Sequence, residues 1–190
     1  MSRQSQYPIQ PYLLNRWSPR AMSGETLTPD ELMPLFEAAR FAPSSYNAQP
    51  WRFLYAHRET DSWQPFFDLL VPFNQSWAHK AAVFIVVVAK TTFDHNNKPS
   101  VTHAFDAGAA WENLALEASA RGLVAHGMEG FDYGAAKTKL NIPDDHVVLA
   151  MIAIGKPGRK EDLPAELQER EEPSDRRPLS EIVMEGGFKG

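Results

Sequence analysis

The chain has 190 residues, 43% hydrophobic and 23% charged, with a formal net charge of −5 at pH 7. That is the length of one domain with material for a real core, and it lacks the basic surplus that nucleic acid as a main partner would demand. There is no cysteine, which excludes disulfides, thiolate nucleophiles and cysteine-ligated metals.

Met1 to Pro11 is polar and has no apolar signal core, and the longest apolar run, Ala81 to Ala89, is too short to span a bilayer. A cytoplasmic protein with no membrane partner is the expectation. A short helix is predicted over Pro11 to Trp17. Thr28-Pro29-Asp30-Glu31 is a strong helix start: threonine caps, proline suits the first helical position, and Glu31 closes a capping box. Leu32, Leu35, Phe36 and Ala39 follow at helical spacing until Pro43 ends the helix. Trp51 to His57 alternates as a strand does. A helix over about Asp61 to Leu70 comes next, then Ala81 to Ala89 as a strand buried on both faces. Thr102 to Arg121 is alanine-rich and reads as a long central helix closed by Gly122. A short strand near Val124, a helix capped by Asp132 and a strand over Val147 to Ile154 complete the core. Arg159 to Arg177 is crowded with charge and carries Pro164 and Pro173. It reads either as a solvated tail or as an arm on a partner subunit, and apolar character returns over Leu179 to Val183.

Familiar catalytic constellations are missing: there is no His-Glu-x-x-His, Gly-x-Ser-x-Gly or P-loop, and no Gly-x-Gly-x-x-Gly follows a strand. His103 and Asp106 share a helix face, but one such pair makes no metal site, and none is assigned. Polar clusters beside turns remain. Arg16-Trp17-Ser18-Pro19-Arg20 offers two guanidiniums and a hydroxyl, a set that suits a phosphate and equally suits an ordinary surface loop. Ala42 to Trp51 puts small hydroxyls and two carboxamides between prolines, either to face the edge of a planar heterocycle or to satisfy its own hydrogen bonds. Gly127-Met128-Glu129-Gly130 has glycines that permit close approach of backbone to a flat ligand.

Taken together and in order, these segments resemble the FMN-binding nitroreductase family. The matching pieces are Arg16-x-Ser18-x-Arg20, Pro43-Ser44-Ser45-x-Asn47-x-Gln49-Pro50-Trp51, Asn74, Asn113-Leu114 with Gly122-Leu123, Glu129-Gly130-Phe131-Asp132, and Arg177-Pro178-Leu179. They run from about residue 12 to residue 184, and the Pro43 to Trp51 segment is the most specific.

The resemblance implies an α+β fold: a central, mostly antiparallel sheet flanked by helices, with the long helix at a homodimer interface. Residues 1–190 would form one domain, and 159–190 an arm packing on the partner. Arg16, Trp17 and Ser18 would meet the phosphate and ribityl chain of FMN, Arg20 and Asn74 the pyrimidine edge. Pro43, Ser44, Ser45 and Asn47 would reach the flavin from the other subunit. Met128, Glu129 and Gly130 would bring backbone to flavin N5, and Arg177, with Arg176, would anchor the phosphate. The implied reaction is ping-pong, NADH or NADPH giving a hydride to N5 and a nitroaromatic or quinone then taking the electrons, so the cofactor carries the chemistry and no side chain need be catalytic. Reductive dehalogenation or dehydrogenation of a bound substrate, and a flavin carrier or sensor without turnover, are the alternatives. Two departures stand out: Trp77 occupies a position where many members have lysine, and only Lys90 to Pro99 separates the central strand from the long helix, where larger members have a helical lid.

Overall fold

Along Val83–Lys90 (β2) and His146–Gly155 (β4) the side chains divide by parity between two cores. Phe84, Val86, Val88, Met151 and Ala153 point to one side of the sheet, and Val83, Ile85, Val87, Ile152 and Ile154 to the other. Burial of both faces forces a layer of helices on each side. The computed structural model describes residues 3–188, and the sheet has four strands in the order β1-β2-β4-β3, with β1 at Trp51–His57 and β3 at Val124–Met128. Every pairing is antiparallel, from Trp51 opposite Ala89 to Met128 opposite Met151. A bulge at Val87/Val88 interrupts the central pair.

One face is covered by α2 (Pro29–Arg40) and α5 (His103–Ala120), which bury Leu32, Leu35, Ala39, Ala107, Ala110, Leu114, Ala115 and Ala118. The other is covered by α3 (Trp63–Phe67), α4 (Pro72–Ala78), α6 (Tyr133–Lys139) and the short α7 (Ala165–Gln168), through Phe66, Trp77, Ala78, Ala136 and Leu167. Two short helices lie near the termini, α1 (Pro11–Asn15) and α8 (Leu179–Ile182).

The helix ends follow their sequence signals. The Thr28 hydroxyl accepts from Glu31 N at 3.3 Å, and Glu31 Oε2 accepts from Thr28 N at 2.8 Å. Gly122, at φ +71°, takes the left-handed position after α5, and Gly122 N and Leu123 N return to Ser119 O and Ala118 O. Asp132 caps α6, accepting from Ala135 N at 2.8 Å.

Two helix boundaries differ from expectation. α1 stops at Asn15 because the chain turns extended at Arg16, where the Arg3 guanidinium takes the carbonyls of Leu14 and Arg16. The helix expected over Asp61 to Leu70 holds only at Trp63–Phe67. Pro72 requires an extended residue before it, and Val71 is extended (φ −65°, ψ 154°), so a separate helix, α4, begins with that proline at its first turn. Along α5, Ala107 and Ala115 lie in the chain's own core, while Ala104, Phe105 and Gly108 face outward. Among the described residues no helix is long and apolar enough to cross a membrane.

Phe84 is fully buried, stacked on Trp63 at 4.3 Å between ring centroids. Phe84→Ala should lower unfolding free energy by about 3–5 kcal/mol, seen as a lower urea midpoint with an unchanged m-value. A loss under about 1 kcal/mol would mean the core collapses around the missing ring.

Candidate functional site: an arginine-lined cleft at the sheet edge

β3 lies at one edge of the sheet, and a cleft of about 400 Å³ opens beside it. Arg3, Arg16, Ser18, Arg20, His126 and Arg176 are among its lining residues, joined by Trp17, Gly127, Arg170, Glu172 and Ser174. Five of these are arginines and one is an acid, so the cleft is strongly cationic in a chain of net charge −5.

Arg3 and Arg176 are held by backbone carbonyls, Arg16 by side chains. Arg3 donates to the carbonyls of Ser174 (2.8 Å) and Arg16 (2.6 Å), tying the two ends of the chain together. Arg16 Nη1 donates to Ser18 Oγ at 3.3 Å, and its Nε lies 3.6 Å from Glu112 on α5. Arg176 donates to Ser174 and Asp175. Burial, then the charges of Arg176 and Arg16, lower the affinity of Arg3 for its own proton. Crowded cations of this kind are relieved by a bound anion, and guanidinium forks beside a hydroxyl match a phosphate dianion.

Arg20 lines the same cleft. Its guanidinium lies 5.9 Å from the centroid of the Trp77 ring, and its Nε is buried without a partner. Trp77 is itself buried and donates through Nε1 to Asn74 Oδ1 at 3.2 Å. Asn74 Nδ2 donates to the Gly130 carbonyl at 2.9 Å. One amide hydrogen of Asn74 is left over, on a carboxamide fixed from both ends. Trp77, at the position where the resemblance leads one to expect lysine, is a buried ring that bonds Asn74 through its indole N–H and lies near the Arg20 guanidinium.

Not every expected residue meets here. Arg176 lines the cleft, whereas Arg177 points away, 80% exposed and 4.0 Å from Glu181. The Met128 side chain is buried in the core, which leaves its backbone alone for a ligand. Glu129 and Gly130 follow β3, and the glycines serve the chain's own packing. A Cβ on Gly127 would come within 3.2 Å of Trp111, and one on Gly130 within 2.6 Å of Asn74 Nδ2.

Pro43, Ser44, Ser45 and Asn47 do not line this cleft; they form a separate loop against the start of α5. Asp106, 3% exposed, accepts from Ser45 N and from the Thr102 hydroxyl, both at 3.1 Å, while His103 bonds the Ser100 carbonyl. Asp106 is therefore a loop anchor rather than a partner of His103. Tyr46, Asn47 and Gln49 all have positive φ, at 54°, 52° and 47°, a strained stretch of the sort that gathers at functional loops. The Lys90 to Pro99 link folds back through a Thr92–Pro99 bridge and carries Phe93 and His95, which pack with the exposed ring of Tyr46.

Sequence reasoning missed three contributors. Arg3 lies in a segment that looked unstructured. His126 is nearly enclosed, its Nδ1 2.9 Å from the Pro19 carbonyl and its ring 4.6 Å from Trp77. Burial, together with the nearby Arg20 charge and against the pull of that carbonyl, lowers its pKa from 6.5 to about 4, so it is neutral at pH 7. Glu171 reaches in from the charged C-terminal segment, its Oε1 accepting from Arg20 N (2.7 Å) and Ala21 N (2.8 Å).

A family model described as the nitroreductase family matches residues 13–156. A crystal structure of an oxidoreductase containing FMN is 46% identical over 99% of this chain and 96% of its own, with a TM-score of 0.94. A 15.4 kDa protein of the ask 5' region from Mycolicibacterium smegmatis is 33% identical over 60% of this chain and 76% of its own length. A Streptomyces griseus protein named for NADH dehydrogenase and NAD(P)H nitroreductase is 25% identical over 70% of this chain and 77% of its length. The chain belongs to the nitroreductase family, and its antiparallel sheet between helix layers is that family's fold.

The buried imidazole has a measurable consequence. The unfolded chain takes up a proton at His126 near pH 6.5 and the folded chain only near pH 4. Stability is therefore full above pH 6.5 and falls through that window, by up to about 1.4 kcal/mol per pH unit. His126→Asn keeps an amide donor for Pro19 and removes the titration. Urea midpoints between pH 7 and pH 4.5 should fall more steeply for the wild type than for this variant; parallel slopes would show that His126 is solvated.

Proposed function

We propose that the protein is an FMN-dependent oxidoreductase that takes electrons from NADH or NADPH and delivers them to a nitroaromatic, quinone or similar acceptor by a ping-pong mechanism. The observation that carries this is one cationic cleft lined by Arg3, Arg16, Ser18, Arg20 and Arg176, in which the Arg20 guanidinium lies near the Trp77 ring that bonds the Asn74 carboxamide. FMN is a dianionic phosphate joined to a flat ring system with a polar edge, and the residues fit both parts. Arg16, Ser18, Arg176 and Arg3 would hold the phosphate, and Trp17 would flank it. Arg20 and Asn74 would meet the pyrimidine edge, where the cation stabilises the negative charge that builds up on reduction. Glu129 and Gly130 would offer backbone near N5. When bound, FMN supplies hydride acceptance at N5 and release of electrons to a second substrate. The similar oxidoreductase containing FMN and the Streptomyces relative named for NAD(P)H support the cofactor and the donor, and a nicotinamide-linked reaction fits the cytoplasm.

The working form in this reading is a homodimer with two composite sites. Ser44, Ser45 and Asn47, with Pro43 behind them, lie outside the arginine cleft and would serve the partner's flavin. An exposed apolar strip supports the pairing: Val101 is 89% exposed, Phe105 82% and Phe41 71%. Of the segment 159–190, expected to pack on the partner, Leu163 to Ser174 instead pack on their own chain through Leu163, Leu167 and Glu171; the stretch beyond would lie against the partner, its exposed Ile182 and Val183 covered there. The hairpin over Lys90 to Pro99 presents aromatic rings rather than charged clamps, which favours planar acceptors over a tightly held substrate.

Heat-released cofactor identified by chromatography should be FMN, and the loaded protein should oxidise NADH or NADPH with a nitroaromatic or quinone acceptor. Recovery of FAD, or no flavin affinity, would overturn the assignment; FMN without turnover would leave a carrier. The composite site has its own test. Arg16→Glu and Ser45→Trp homodimers should each bind FMN poorly, while their heterodimer should regain about half the flavin of wild type, one intact site per two-fold pair. No recovery in a verified heterodimer would defeat the shared site.

A further inference from the structure

The stretch 18–21 carries the one guanidinium assigned to the pyrimidine edge, yet it is a loop without regular structure. Among its anchors, three bear on Arg20 and its two neighbours. The Pro19 carbonyl meets His126 Nδ1 on β3 at 2.9 Å, while Arg20 N and Ala21 N both donate to Glu171 Oε1, at 2.7 and 2.8 Å. Glu171 lies some 150 residues further along the chain, in the charged segment past α7. Its other oxygen, Oε2, is buried without a partner, as is Arg20 Nε, so the two do not pair with each other. The carboxylate is thus spent on backbone, and the guanidinium stays free to face a ligand.

We propose that Glu171 is a positioning residue for Arg20: by clamping two consecutive backbone amides it fixes where the Arg20 guanidinium points, and it makes the flavin's environment depend on the docking of the C-terminal segment. Hydrogen bonds to a charged acceptor are the strong kind, and an ordered backbone lets the side chain approach the ligand without being reorganised on binding. The Trp77 ring beneath the guanidinium limits its remaining freedom.

This inference rests on the flavin reading, and the sign of one measurement separates it from a plain charge effect. Removing a nearby negative charge by itself raises a flavin's midpoint potential. Loss of a well-placed cation lowers it. Glu171→Ala should therefore shift the potential of bound FMN to more negative values and weaken FMN binding about tenfold. Glu171→Gln keeps an oxygen acceptor for both amides and removes only the charge, so its potential should not fall below that of the wild type and its FMN affinity should be kept. In an Arg20→Ala background, Glu171→Ala should shift the potential no further, because the residue it positions is gone. If Glu171→Ala does not fold, Glu171→Asp, one methylene shorter, takes its place with the same expected sign. A positive shift in both the Ala and Gln variants, an unchanged potential, or full additivity with Arg20→Ala would overturn the clamp. Wild-type protein with no affinity for FMN would instead defeat the flavin assignment.

Discussion

Burial of β2 and β4 on both faces constrains everything else in the molecule. Two parity sets leave water along each strand, so helices must cover both sides, and neither face of the sheet is left for a ligand. Chemistry is displaced to the edge. At β3 four stretches distant in sequence converge: Arg3, the loop from Arg16 to Ala21, the strand itself, and the segment from Arg170 to Arg176. Each contributes what a loop or an end can contribute, namely backbone amides, guanidiniums and a carboxylate, while the rigid layers behind them fix their spacing.

Within the cleft Arg20 is set apart by its neighbour, the Trp77 ring. The indole N–H fixes Asn74, the ring lies near Arg20, and its burial joins both to the core that also holds Phe131 and Met151. The like charges of Arg3, Arg16 and Arg176 repel one another, so an anion bound among them also stabilises the fold that holds them.

The sequence was readable wherever a local rule governs. The doubly buried strand read over Ala81 to Ala89 (observed at Val83–Lys90), the Thr28–Glu31 box, Gly122 after α5 and the Asp132 cap all appear as expected, because each is decided by neighbours within a few positions. α4 was missed although Pro72 announces it: the apolar run through Leu69, Leu70 and Val71 reads as one helix until the extended residue before proline is weighed. Resemblance singled out Arg16, Ser18 and Arg20, which share the cleft, and Asn74, which bonds Trp77. His126, Glu171, Arg3 and Asp106 were not singled out, since their roles depend on contacts across 171 to 61 residues that no local pattern encodes. Glu171 in particular sits in a run of acids, Glu169 to Glu172, where composition alone cannot single out the member that turns inward.

The loop of Ser44 to Gln49 has three non-glycine residues in the left-handed region and a buried carboxylate holding one of its amides. A loop bent this way within its own chain keeps its shape before any second chain arrives. In the proposed homodimer two subunits would therefore meet as finished surfaces, and association would select among orientations instead of moulding a mobile segment. A substitution that relaxes the bend, glycine at Tyr46 for example, would lessen local strain and also let the loop wander, so that a more comfortable monomer would make a slower and less exact pair.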